Sequence, residues 1–119
     1  MTDHLLTPED DPAFDQEGLT GYRYPLDNDE LELYRVDVTR GHDTYIVSRE
    51  ITHIYRVLDG RGVFTIDGDD QRVEAGDTVE VPPGVEYTYS GSMELLLIMQ
   101  PPWFEGNEEV TRPNPAVQS

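Results

Sequence analysis

The sequence predicts an all-β protein, folded as a small antiparallel barrel or sandwich. Between residues 53 and 91, short runs of strand-forming residues alternate with turn residues such as Asp-Gly, Gly-Arg-Gly and Pro-Pro-Gly. These runs show no helical hydrophobic period. At 119 residues the chain has the length of one domain, so a single barrel is expected.

The first part of the chain is an acidic, irregular segment. Residues 1–21 are expected to form a loosely held N-terminal arm, or a single helical turn at Thr7-Pro8, because proline fits the first helical position. A short edge strand follows at Tyr22–Tyr24 and ends at a proline. Residues 31–38 form a better strand, in which the apolar alternation changes phase at Leu33-Tyr34 and predicts a β-bulge.

The remaining strands are separated by turns with clear residue signatures. They are predicted at residues 44–48, 53–58, 63–66, 72–74, 78–81, 85–89 and 94–99. Residues 59–62 are expected to form a turn, Asp67-Gly68 favours a type I′ hairpin, and Pro83-Gly84 fits a type II turn. The barrel is therefore placed at residues 22–104, followed by a polar, mobile tail at 105–119.

The charge balance excludes two classes of partner. The chain has 25 acidic residues against 8 basic ones, all arginine, and a net charge of −17. Such a surface repels nucleic acid and anionic membranes. The excess of acidic residues is either an ordinary solvated acidic face or an adaptation to the salty cytoplasm of a halophile, where screening relieves the repulsion between carboxylates.

The cellular location is predicted from what the sequence lacks. No apolar run is long enough for a membrane-spanning helix, and the N-terminus lacks the basic flank and apolar stretch of a secretory signal. The chain has no cysteine, which excludes disulfides and thiolate-held metals. A cytoplasmic location is expected by default.

Two motifs resemble those of the cupin superfamily. His-Ile-Tyr-Arg-Val-Leu-Asp-Gly-Arg-Gly, starting at His53, resembles the end of the first cupin motif. Gly76-x5-Pro82-x-Gly84-x2-Tyr87 resembles the second, with tyrosine where the family has histidine. The resemblance covers about residues 43–102. It implies a single-domain double-stranded β-helix, a jelly-roll-like cupin barrel with its site inside the barrel mouth, often paired as a homodimer. Dimerisation would also cover exposed edge strands.

The resemblance also implies where a family metal would be held. The family's ligand positions fall near Ile46, Ser48, His53 and Tyr87. One imidazole, a hydroxyl and a phenol form a poor first shell for zinc, iron or manganese, so no metal or other cofactor is expected. A divergent metallocupin with a site around His53 stays an alternative if Glu50 or Glu86 turns inward.

His53 and Tyr87 are the predicted catalytic residues. Strand alternation puts Val85, Tyr87 and Tyr89 on one apolar and aromatic face, and puts His53 on the same face as Tyr55. His53 is predicted as the base, and Tyr87 as the acid or oxyanion donor. Ser48, Tyr55 and Tyr89 are predicted to bind the ligand. His42, in a turn after a glycine, is expected to face solvent.

Besides the divergent metallocupin, three interpretations of the site remain open on this basis. The first is metal-independent proton transfer on a small polar organic molecule, such as isomerisation or epimerisation, as in metal-free cupin-like sugar epimerases. The second is a non-catalytic binding or sensing module. In the third, the inward histidine and tyrosine only bond each other or the backbone and fill a small barrel.

Overall fold

The computed structural model describes residues 4–117, which form nine antiparallel strands and no helix. They are β1 (Phe14–Gln16), β2 (Leu19–Arg23), β3 (Glu32–Val38), β4 (Thr44–Ser48), β5 (Thr52–Ile66), β6 (Asp69–Glu74), β7 (Thr78–Val81), β8 (Glu86–Gln100) and β9 (Glu108–Pro113). The predicted all-β class is confirmed. Within the described range no helix is long and apolar enough to cross a membrane.

Two long strands organise the sheet. Strands β5 and β8 have 15 residues each and pair with one another along almost their whole length. One half of the curled sheet has the order β1-β2-β3-β8-β5-β7. The other half has the order β9-β4-β8-β5-β6. The buried side chains lie between the two halves, and this arrangement confirms the predicted double-stranded β-helix.

The turn predicted at residues 59–62 is wrong, because β5 continues through it as a bent strand. The pairing with β8 shifts register after Val57, which leaves Leu58 as the extra residue of a bulge. Opposite the bend, Gly91 has φ +134°, and a Cβ there would lie 2.5 Å from the Cα of Gly62. The glycines of this segment therefore let two backbones approach closely at the corner of the barrel.

The hairpin predictions are supported by the backbone, but the predicted bulge in β3 is wrong. Asp67 and Gly68 both have positive φ, as a type I′ turn requires, and Gly84 has φ +83°. Strand β3 pairs with β8 in continuous register from Glu32 to Val38. The apolar alternation changes phase in the sequence because Leu33 is an apolar residue that lies half-buried on the outward face of β3.

The sheet extends beyond the predicted barrel limits of 22 and 104 at both ends. Strands β1 and β2 form a hairpin that pairs with β3, and β9 pairs with β4. Asn107 is buried before β9, where its side chain contacts Ser48 Oγ and the carbonyl of Phe104. These additions depend on backbone pairing between distant segments, which the side-chain pattern does not reveal. Residues 1–3 of the predicted arm and 118–119 of the predicted tail lie outside the described residues.

Candidate functional site

A cavity of about 360 Å³ lies inside the barrel. Its walls come from the β1–β2 hairpin, β3, β4, β5, β8 and the C-terminal segment. The lining is mostly aromatic and apolar, with a few polar groups: Ala13, Phe14, Gln16, Leu19, Tyr34, His42, Ile46, His53, Tyr55, Tyr87, Tyr89, Leu97, Met99, Trp103 and Glu108. The size and the lining are typical of a site for a small organic molecule.

Three tyrosines form the inner wall of the cavity. Tyr55 on β5 and Tyr87 and Tyr89 on β8 are almost fully buried. The hydroxyls of Tyr55 and Tyr87 are hydrogen-bonded at 2.6 Å, and the ring centroids of Tyr55 and Tyr89 are 5.4 Å apart. Burial raises the pKa of all three well above the ordinary value. The hydroxyls are therefore neutral at physiological pH. One member of the Tyr55–Tyr87 pair donates to the other, and the accepting member keeps its own proton to donate to a ligand.

His53 lies beside this wall as a buried, neutral imidazole. Its ring is 5.8 Å from that of Tyr87 and stacks on that of Tyr55 at 6.2 Å. Burial lowers the pKa of His53 to about 4, against a smaller opposing effect of the Ile51 backbone. Its Nδ1 atom has no hydrogen-bond partner among the described residues. A buried polar atom without a partner is uncommon in folded proteins, and such atoms cluster where a structure has a function beyond stability.

His42 also lines the cavity, which corrects the expectation that it faces solvent. Its side chain is only 12% exposed, and its ring packs edge-on against Tyr89 at 5.8 Å. Backbone pairing causes this placement, because Gly41 bridges Ser90 and the His42 amide donates to the carbonyl of Tyr89. The Nδ1 atom is 2.9 Å from the Thr44 carbonyl oxygen. The Thr44 amide is farther from Nδ1, at 3.4 Å, so the shorter contact favours the tautomer with the proton on Nδ1 and the lone pair on Nε2.

Sequence reasoning missed two further polar residues of the cavity. Gln16 on β1 has a buried side-chain oxygen without a partner among the described residues. Glu108 on β9 supplies a carboxylate. Both lie in segments predicted to be an arm and a tail. No sequence signal distinguishes them from the many other polar residues there, because only strand pairing brings them to the barrel.

The five residues predicted for the site do not all meet in the cavity. His53, Tyr55, Tyr87 and Tyr89 line it together. Ser48 is buried but does not line the cavity, because its hydroxyl donates to Asn107 Oδ1 at 2.7 Å. Its position in the structure therefore suits holding the C-terminal segment rather than contacting a ligand.

The donor set does not fit the metal that the cupin resemblance implies. Ile46 has no lone pair, the Ser48 hydroxyl is bonded to Asn107, and the Tyr87 hydroxyl is bonded to Tyr55. Only the His53 imidazole remains of the four positions, and a metal needs about three good ligands. In the part of the chain that the structure describes, no group of three or more histidine and acidic side chains is placed to hold a metal.

Comparison with known proteins identifies a family and a close structural relative. The family model described as a cupin domain matches residues 35–99. An uncharacterized protein of Methanocaldococcus jannaschii is 31% identical over 61 residues, which are 48% of this chain and 49% of that protein. The chain thus spans about half the length of this curated relative.

Solved structures of Streptomyces Pac13, described as a nucleoside dehydratase, resemble the whole chain. The Y55F variant with uridine has a TM-score of 0.87 and 28% identity, and the match covers 99% of this chain and 98% of that one. Further structures with uridine carry H42Q and Y89F. KdgF from Halomonas has a TM-score of 0.67 at 17% identity, covers 76% of this chain and 86% of that one, and supports the fold alone.

Proposed function

This chain belongs to the cupin domain family, and we propose that it binds a nucleoside in the barrel cavity and eliminates water from it by proton transfer. The observation that carries the proposal is the convergence of His42, Tyr55 and Tyr89 on one cavity. These are the residue types and numbers altered in the uridine complexes of Pac13. Near-complete coverage of both chains supports treating the positions as equivalent.

The lining suits a planar base with a polar sugar. The rings of Tyr55, Tyr87 and Tyr89 give flat apolar surfaces, and a nucleobase packs well on such faces. Around them, the neutral tyrosine hydroxyls and the polar side chains of Gln16 and His42 supply hydrogen-bonding groups for the base and the sugar. A mostly apolar cavity with a few convergent polar groups fixes the orientation of a bound ligand.

His42 is the proposed general base. Its Nδ1–H donates to the Thr44 carbonyl, so Nε2 can take a proton from a sugar carbon that lies next to a carbonyl. The electron pair of the broken C–H bond forms a carbon–carbon double bond, and hydroxide leaves from the neighbouring carbon. The imidazolium of His42 returns its proton to the departing oxygen as water. The reaction releases one water and changes no net oxidation state, so it needs no redox partner.

The predicted roles of His53 and Tyr87 remain proposals beside this one. A pKa of about 4 makes His53 a weak base at neutral pH, which favours His42 for proton abstraction. We assign His53 a role in positioning the ligand, because its ring lines the cavity beside Tyr55 and Tyr87. Tyr87, kept neutral by burial, is suited to donate to the oxygen that becomes negative as the proton leaves.

Two measurements test the proposal. Uridine should bind in calorimetry and raise the melting temperature of the wild-type protein. Uracil nucleosides that carry a carbonyl group on the sugar should lose one water, detected by mass spectrometry. H42Q should slow this loss by about 10²-fold or more, because a general base contributes about that much. H4Q, which removes an exposed histidine, should match the wild type.

The outcomes separate the alternatives. If H42Q turns over like the wild type while H53Q is inactive, the base is His53. If uridine binds and no substrate of this class loses water, the chain is a binding module without turnover. If uridine does not bind, the nucleoside assignment is wrong.

A further inference from the structure

We infer that Glu108 selects the substrate within the proposed nucleoside-binding site: it binds the ribose hydroxyls and excludes phosphorylated nucleotides. The inference depends on the proposed function, because it specifies which nucleosides the proposed site accepts. It starts from a carboxylate in an aromatic cavity that no residue of the described range 4–117 neutralises.

The fold holds Glu108 at the cavity through strand pairing. Strand β9 pairs with β4, with Glu108 opposite Ser48. The preceding residue, Asn107, is buried and accepts the hydrogen bond of Ser48 Oγ at 2.7 Å. Glu108 is half-buried against the cavity, whereas the next residue, Glu109, is exposed and forms an ion pair with Arg49 at 3.7 Å. The two neighbouring carboxylates therefore have opposite surroundings.

The carboxylate of Glu108 is close to the tyrosine wall. Burial is the main cause of the raised pKa of Tyr55, Tyr87 and Tyr89, and the negative charge of Glu108 adds to it at each of the three. No lysine or arginine lines the cavity within residues 4–117. None of the described residues gives the Glu108 carboxylate a hydrogen bond or an ion pair.

A half-buried carboxylate without a partner favours a ligand that supplies hydrogen-bond donors. An ionised carboxylate only accepts hydrogen bonds, and its two oxygens can accept from two neighbouring hydroxyls. The vicinal 2′- and 3′-hydroxyls of ribose provide such a pair, and in dinucleotide-binding folds an acidic residue accepts a hydrogen bond from the ribose 2′-hydroxyl. A phosphate group brings only negative charge and acceptors, and the cavity lining offers no cation to receive it.

Calorimetry with three ligands and matched variants tests the inference. The wild type should bind uridine more tightly than 2′-deoxyuridine, and should bind uridine 5′-monophosphate weakest of the three. E108Q should weaken uridine binding by about 10- to 100-fold, the range of a charge-assisted hydrogen bond. It should also reduce the ratio between the affinities for uridine and for 2′-deoxyuridine. E108D keeps the charge and should still reject the monophosphate. E109Q makes the same charge change outside the cavity and should bind all three like the wild type.

Other outcomes overturn the inference, provided that melting curves show each variant folded. It is wrong if E108Q and E109Q bind the three ligands equally, or if E108Q lowers turnover while the ligand preferences stay unchanged. In both cases uridine binding by the wild type leaves the proposed function standing. If the wild type binds none of the three ligands, the proposed function fails, and the role of Glu108 fails with it.

Discussion

His53 is a residue whose burial has a measurable effect on stability. The folded barrel holds its imidazole neutral, with a pKa of about 4, whereas the ordinary value is 6.5. Between these two pH values the unfolded chain binds a proton that the folded chain does not. The free energy of unfolding must therefore fall as the pH falls from 6.5 towards 4.

Replacing His53 should remove this part of the acid sensitivity. H53Q cannot titrate, so its free energy of unfolding should fall less than that of the wild type between pH 6.5 and 4. The difference should approach about 3 kcal/mol, since each unit of pKa shift corresponds to about 1.4 kcal/mol. Urea denaturation across this range measures it, and subtracting the two curves cancels the carboxylates. H4Q is the control, and parallel curves for H53Q and the wild type would contradict the prediction.

At the residue scale, strand alternation predicts which side chains point into the barrel when the strand has a clear apolar pattern. It put His53 with Tyr55, and Tyr87 with Tyr89, and the structure buries all four. It could not place His42 or Glu108. Each of these reaches the cavity through a backbone bridge or strand pair with a segment far away in the sequence. His42 has no apolar neighbour at alternate positions, and the one that follows Glu108, Val110, is exposed, so the pattern does not indicate the direction of either side chain.

At the element scale, the corner of the barrel depends on Gly91 in β8. A side chain there would meet the backbone of Gly62 and, at 2.6 Å, the carbonyl oxygen of Arg61. The backbone atoms of a paired strand cannot move aside without breaking the β5–β8 ladder. The close approach of two strands, and not only the positive φ, thus requires glycine at this position.

G91A should therefore be far more destabilising than alanine at an open glycine. We expect a loss of roughly 4 kcal/mol or more, or a failure to accumulate folded protein. G84A is the matched control, because Gly84 has φ +83° but no atom within 4 Å of an added Cβ. Its cost should be about 1–2 kcal/mol, from the left-handed backbone alone. Equal urea midpoints for the two variants would show that the close approach is unimportant.

The same corner explains what element prediction could not provide. The runs 53–58 and 63–66 belong to a strand, as the sequence predicts, but the Gly-rich link between them is not the turn that the sequence predicts. Locally, a glycine-rich link in a bent strand resembles a turn, since both need small residues with free backbone angles. Only the partner strand β8, continuous through Ser90 and Ser92, shows that the chain does not reverse there.

At the scale of the whole molecule, the outer strands and the surface charge decide what the protein can associate with. Strands β1, β6, β7 and β9 have sheet partners on one side only within the described chain. Such edges are where a second copy would add, and the homodimer expected from the sequence stays a prediction. Two copies that each carry a net charge of −17 repel one another, so this charge opposes the formation of any such interface.

Salt should stabilise the protein, because its carboxylates repel one another across a small barrel. Screening shortens the range of this repulsion from about 10 Å at 0.1 M salt to about 3 Å at 1 M. The melting temperature should therefore rise by roughly 4 °C or more over this interval, which corresponds to about 1 kcal/mol. Thermal denaturation in sodium chloride measures the rise, and sucrose at equal osmolality controls for general solvent exclusion. An equal rise in sucrose, or none in salt, would show that self-repulsion is not what limits stability, and it would remove the physical basis for interpreting the acidic surface as an adaptation to salt.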